Sequence, residues 1–354
     1  MLLHAETTFG LNLLRALPAT NESVVFSPVS IALLLSLVHS GAKGKLKTQI
    51  ENVLGDGQKV DQKMDNYFKY ISDLVHDGNT EDFRFHAANR LFVGKEYKIK
   101  NNYTGAENLD FKSNEAAKEI NNYVKSATGN KIKTIVSKSS LKNAAALLVN
   151  AMSFSGVWEK EFGGYSTFME TFVAGEEKVQ RWFMHAFACH RTFAWDNWFD
   201  VLILNYKNPE YRFAIFSPKR KYGLKKVLEK LDAARFQKLL SSGKSHYINT
   251  YIPKINVKTK LLLKDVLPKL GITDLFNDSA DLSEIADELK ITNGVHKARI
   301  QINEEGTVAA PEFSSVQYDN EPGGNDPIDF FTKYPFLFAL VRENHPVLMG
   351  IYRG

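Results

Sequence analysis

From Val29 to Val38 the chain is apolar nearly all round a helical wheel, and a helix of that kind has to be enclosed by other elements. Ser27 ahead of it is a good helix cap, and Pro28 suits the first helical position. The helix is therefore expected at the centre of the body, closed off by Gly41 and Gly44. Enclosing it takes a large core, and 44% hydrophobic with 24% charged residues in 354 is the composition of an ordinary globular chain able to build one.

The remaining patterns give both helices and strands. Helical spacing runs from Ala5 to Leu17, through Leu46, Ile50 and Leu54, from Met64 to Val75, and from Glu115 to Thr128. Strands are predicted over Phe85 to Val93 and over the apolar run Ala144 to Ala151, which suits a strand covered on both faces. Val201 to Tyr206 and Arg212 to Phe216 read as a hairpin across Asn208 and Pro209. No repeat or biased linker interrupts the chain before residue 310, so a single mixed domain over 1–354 is the simplest account.

Charge and cysteine content narrow the function. Lys and Arg number 45 against 40 Asp and Glu, a net charge of +5 that points away from nucleic acid. The densest basic run, Lys219, Arg220, Lys221, Lys225 and Lys226, reads as a solvated helix start. With Cys189 alone there is no intrachain disulfide, and no basic region precedes an apolar run as in a signal peptide. No stretch approaches the ~20 apolar residues of a membrane span. The triplets at Asn21, Asn102 and Asn277 would stay unglycosylated without secretion. A cytoplasmic location follows, with leaderless export as the alternative.

One segment departs from this regularity. Lys297 to Asn303 alternates as a strand and ends at Glu304, Glu305 and Gly306. Thr307, Val308, Ala309 and Ala310 are small, and from Pro311 to Asp329 turn-forming residues recur with no usable period. A structureless stretch longer than ~12 to 15 residues is usually functional or disordered, and exposed polar loop tips are where proteases cut. Small residues after Gly306 would let the base of this loop enter a crowded sheet as a strand.

Several motifs in order carry a resemblance: Phe26-Ser-Pro-Val-Ser-Ile31, Gly41-Ala-Lys-Gly44, Asn150-Ala-Met-Ser-Phe-Ser-Gly-Val-Trp158, Ile252-Pro-Lys254 and Leu270-Gly-Ile272. Ile302-Asn-Glu-Glu-Gly-Thr-Val-Ala-Ala310 and Pro335-Phe-Leu-Phe338 to Gly350 complete the set. Along nearly its full length the chain resembles a serpin of the intracellular, ovalbumin-like type. The resemblance implies an α+β fold of three β-sheets and eight or nine helices, with an exposed reactive-centre loop at about 307–329.

It implies a function too: a metastable suicide inhibitor, and so not an enzyme, that traps a serine or cysteine protease as an acyl-enzyme. The cut loop enters the central sheet as a new strand. Glu304, Glu305, Gly306, Thr307, Val308, Ala309 and Ala310 match the hinge. Ser27, Ser30, Asn150 and His296 match the polar cluster, or shutter, beneath the sheet opening, and Trp158 the breach at its top. By the family's register the scissile carbonyl lies sixteen residues past Glu304, at Asn320, so the reactive bond is Asn320-Glu321, with Asp319 and Asp326 as rivals. The partner is a protease, the protein acts as a monomer, and no cofactor, metal, nucleic acid or membrane is involved.

Two departures stand out. Pro311, Glu312 and Phe313 interrupt the small residues of the hinge, and proline is normally excluded from central strands. The alternative is thus a non-inhibitory serpin serving binding, storage or chaperone-like roles. The chain between Lys98 and Phe111 is also short for a peripheral helix. Enzyme motifs fare worse: Gly243-Lys244-Ser245 lacks the earlier glycine of a phosphate loop, and His185, Cys189 and His190 fit no usual zinc spacing.

Overall fold

In a computed structural model, which describes residues 2–18, 21–57, 61–76, 79–80, 82–163, 167–221, 223–307 and 326–354, nine helices surround two hydrogen-bonded sheets among the described residues. The helices are α1 (Leu2–Ala16), α2 (Pro28–Gly41), α3 (Gly44–Leu54), α4 (Asp61–His76), α5 (Ala116–Ala127), α6 (Lys138–Leu141), α7 (Leu224–Lys230), α8 (Ala233–Ser241) and α9 (Leu263–Leu270). The strands in chain order begin with β1 (Val24–Phe26), β2 (Phe83–Gly94), β3 (Ala106–Leu109), β4 (Ala146–Val157), β5 (Phe168–Ala174), β6 (Glu177–Trp195), β7 (Phe199–Asn205) and β8 (Tyr211–Pro218). They continue with β9 (Lys244–Pro253), β10 (Ile255–Leu262), β11 (Asn293–Ile302), β12 (Gly306–Thr307), β13 (Ile328–Phe331), β14 (Phe336–Arg342) and β15 (His345–Tyr352).

Six strands form one sheet in the order β10-β11-β12-β4-β2-β3. The other has nine, running β1-β15-β14-β8-β7-β6-β9-β13 with β5 added to β6. The expected third sheet is the part formed by β5, β6, β9 and β13, which stays hydrogen-bonded to the rest because β6 passes from one part into the other. A bulge between Ala186 and Cys189, with Ala188 at φ 51°, breaks the β6–β9 register midway.

Helix α2 is the hub, as its apolar wheel predicts. Its Ser27 cap accepts from Ser30 N–H, Pro28 opens it, and its side chains are buried from Pro28 through Leu35. One face of the six-stranded sheet packs inward on this core, while Val149, Ala151 and Val295 face outward beneath α5. Residues 95–105 carry no helix at all, which is how the short segment before Phe111 is accommodated.

Two boundaries differ from the sequence reading. Strand β4 extends to Val157, because Ser153 and Gly156 are covered as fully as the apolar residues before them. The loop expected at 307–329 is shorter at both ends: Thr307 already belongs to β12, and Ile328 and Asp329 belong to β13.

Candidate functional site

Strands β4 and β11 lie side by side and parallel, pairing Leu147 to Ser153 with Asn293 to Arg299. Above Ser153 they diverge, and β12 occupies the gap. Gly306 and Thr307 pair antiparallel with Val157 and Gly156 of β4, and Thr307 pairs antiparallel with Ile302 of β11.

Chain reversal into this gap rests on a tight turn. Asn303 N–H donates to Gly306 O at 2.8 Å, and Gly306 N–H donates to Asn303 Oδ1 at 3.1 Å. Gly306 has φ 155°, and a Cβ there would sit 2.0 Å from Gly156 O, so a side chain at this point meets backbone that cannot step aside. Thr307 is fully buried, its hydroxyl bonded to Tyr206 Oη at 2.8 Å.

Trp158 closes the top. Its ring stacks on Tyr206 at 4.4 Å, its Nε1–H donates to Asn303 O at 3.1 Å, and its backbone N–H donates to Glu305 O at 2.9 Å. Glu304 is held from outside by Lys254 at 2.7 Å and by Thr167 Oγ1. Burial raises the Glu304 carboxyl, but the hydrogen bonds from Lys254 and Thr167 outweigh it and hold the group below its ordinary value.

Below the gap the seam is sealed by polar contacts. Asn150 and His296 face each other directly across β4 and β11. His296 Nε2 accepts from Ser27 N–H at 3.2 Å, so the ring proton resides on Nδ1, which donates to Asn150 Oδ1. Asn150 Nδ2 donates to Ser30 O at 2.8 Å and Ser30 Oγ at 2.7 Å, while Ser27 Oγ donates to Val347 O at 2.8 Å. All four residues are fully buried. Burial keeps the imidazole neutral by pushing its pKa down to about 3. Every hydrogen bond here belongs to a neutral network, and among the described residues the Asn150–His296 contact is the one that ties the two strands side chain to side chain.

The four residues matched to the polar cluster are therefore brought together, and Glu304 to Thr307 and Trp158 meet at the other end of the same seam. Sequence reasoning missed Asn89, which pairs with Asn150 across β2 and β4 and sets its amide against Ser30. It also missed Tyr206, on which both Trp158 and Thr307 rest. An asparagine within the strand pattern of Phe85 to Val93 is the one local signal that could have found the first, since strands are depleted in it.

Val308, Ala309, Ala310, Asp319, Asn320 and Glu321 lie outside the described residues. Asp326 is exposed and stands two residues before β13, with Pro327 directly after it. A bond from Asp326 to a proline nitrogen, so close to a paired strand, is poorly placed for a protease cleft. Asn249 Nδ2 donates to Asp329 Oδ1 at 2.8 Å and fastens β13 to β9.

Among the described residues no group of three or more His, Cys, Asp or Glu side chains could hold a metal, and no helix is long and apolar enough to cross a membrane. The serpin (serine protease inhibitor) family model matches residues 4–352. Iripin-2 of Ixodes ricinus is 32% identical over 95% of this chain and 88% of its own length, and Serpin B3 of Homo sapiens is 29% identical over 96% and 95%. Uncleaved ovalbumin superposes with a TM-score of 0.87 over 100% of this chain and 99% of its own, at 26% identity. A seam open at one end and sealed at the other thus sits in a chain that belongs to the serpin family, a family of protease inhibitors and not of enzymes.

Proposed function

We propose that the protein traps a serine or cysteine protease by inserting its cut loop between β4 and β11. The protease nucleophile would add to the carbonyl of Asn320, the Asn320-Glu321 bond would break, and the new amine would leave as a proton is delivered to it. The polypeptide ending at Asn320 would stay esterified or thioesterified to the protease. The observation that carries this reading is β12 itself: two residues of a strand already run antiparallel to both neighbours, directly above the place where those neighbours still pair.

Extending that register one residue at a time gives the path. Ala309 would come between Phe154 and Ile300, Pro311 between Met152 and Ala298, and Phe313 between Asn150 and His296. Past Ala309 the strand unzips the β4–β11 ladder pair by pair, from Ser153 and Arg299 downward, and bonds its two neighbours alternately. At a net gain of about 1 kcal/mol per new hydrogen bond, a strand of about a dozen residues is worth on the order of 10 kcal/mol. Pro311 donates no bond, and Phe313 has to displace the histidine–asparagine contact. Those two positions make the middle of the path slow, and slow insertion lets the acyl bond hydrolyse. The substrate-like, non-inhibitory alternative rests on them.

The rest of the proposal is a monomer acting in a reducing compartment, supported by a single buried cysteine and no disulfide. Incubation with a panel of serine and cysteine proteases, followed by a denaturing gel and mass spectrometry of the C-terminal fragment, tests it. A covalent complex is expected, with a fragment beginning at Glu321. Cleavage by every active protease with no complex, and a nicked form melting at the same temperature as the intact one, would overturn the reading.

A further inference from the structure

Arg191 of β6 is 7% exposed, and a buried guanidinium is normally matched by a carboxylate or a full set of acceptors. Here it has neither. Nη2 donates to Lys160 O at 3.4 Å, Nε has no hydrogen-bond partner, and among the described residues no carboxylate lies within ion-pair distance. The cation lies 4.5 Å above the ring of Phe162. Burial lowers its pKa to about 10, which still leaves it charged at neutral pH.

Arg191 is among the residues that line a cavity of about 260 Å³, together with Lys160, His190, Thr192 and Ser245. Thr192 and Ser245 face each other across the β6–β9 pair. The one carboxylate on the wall, Glu159, accepts from Asn205 Nδ2 at 2.9 Å. The cavity thus sets a desolvated fork of N–H donors beside the hydroxyls of Thr192 and Ser245, the latter 3.4 Å from His190 Nδ1. A planar guanidinium recognises phosphate and sulfate bidentately.

We propose that this cavity binds a tetrahedral oxyanion, the phosphate or sulfate group of a small ligand, and that Phe162 transmits its occupancy to the origin of the loop. Phe162 is 1% exposed, carries Arg191 on its ring and donates its own N–H to Glu304 O at 2.8 Å. Drawing the guanidinium onto an anion fixes that ring, and with it the carbonyl of Glu304. The transmission half rests on Glu304 to Thr307 acting as the hinge, whereas the binding half does not.

Isothermal titration of the full chain with inorganic phosphate, and separately with inorganic sulfate, tests the site, and the tighter of the two names the ligand's group. Saturating phosphate is expected to raise the melting midpoint by about 3 °C over sodium chloride of equal ionic strength. Arg191→Met is expected to abolish the heat of binding and this difference. Should that variant fail to fold, Ser245→Ala is expected to weaken phosphate binding about tenfold, as the loss of one hydrogen bond to a charged group. No measurable binding, or equal affinity in Ser245→Ala and in a folded Arg191→Met, would overturn the site. Hydrogen exchange at the Phe162 amide reads the transmission, with slowing expected when phosphate is bound. Binding that leaves this exchange unchanged would overturn the coupling alone, and the protease panel judges the hinge independently.

Discussion

The two ends of the β4–β11 seam solve the same packing problem with opposite chemistry. At the upper end an aromatic stack of Trp158 and Tyr206 supports a strand of two residues that has come between its neighbours. At the lower end Asn150 and His296 hold the strands together through a buried polar network with no intruder. Apolar surface is indifferent to which strand covers it. A hydrogen-bonded pair is not, because separating it exposes two buried polar groups at once. On the proposed reading the upper end is where a strand enters, and the lower end sets the resistance to entry.

The largest effect is expected where the wedge begins. Thr307→Arg places a charge in a fully buried site beside Tyr206, and it should abolish the covalent complex while the loop is still cut, as a denaturing gel with the target protease would reveal. Complex formation at the unaltered level would show that β12 is incidental to trapping.

A pH series probes the sealed end. In the unfolded chain a histidine takes up its proton near pH 6.5, but burial delays His296 to about 3. Between those values the unfolded state binds the extra proton, so stability is fully present above pH 6.5 and falls with acidification. The slope is about 1.4 kcal/mol per pH unit, or about 3 kcal/mol by pH 4. Denaturant titration of His296→Gln should lack that part of the slope, and a variant that keeps it would locate the acid sensitivity elsewhere.

Asn150→Ala separates the two states of the seam. It strands the imidazole N–H, so the intact protein should lose about 2 kcal/mol. The nicked, inserted form should lose far less, since its strands no longer touch at this point. Melting both forms side by side checks this, and equal losses would mean that the Asn150–His296 contact survives cleavage. The smallest effect belongs to Tyr206→Phe, which removes one hydrogen bond from Thr307 at about 1 kcal/mol and should leave the acid slope unchanged.

Much of this was legible in the chain, and the illegible part has physical causes. Helix α2 declares itself because its cap, its proline and its apolar wheel agree. The chain reversal at Gly306 is readable from the glycine and the small residues after it, although the reason for glycine, the carbonyl of Gly156 at 2.0 Å from a Cβ built there, is a fact of the fold. The polar cluster was found by resemblance alone, because Ser27, Asn150 and His296 converge from distant positions with no shared local pattern. Strand β6 escapes a period-two reading for a different reason. Phe183 and Met184 are both fully buried on opposite faces, and the bulge at Ala188 then inverts the alternation.

The place of β14 and β15 bears on biosynthesis. Both are interior strands, nearly every side chain on them is buried, and they come after everything else described here in the order of translation. Strand β1 has to wait for Ile351, Gly350 and Met349, and the cap of α2 for the carbonyl of Val347. A nascent polypeptide on the ribosome therefore carries helix α2 without some of the neighbours that cover it until β15 has emerged. A truncation that removes β15 should therefore be as damaging as one that removes far more of the chain, which expression and solubility of the two truncated forms would show.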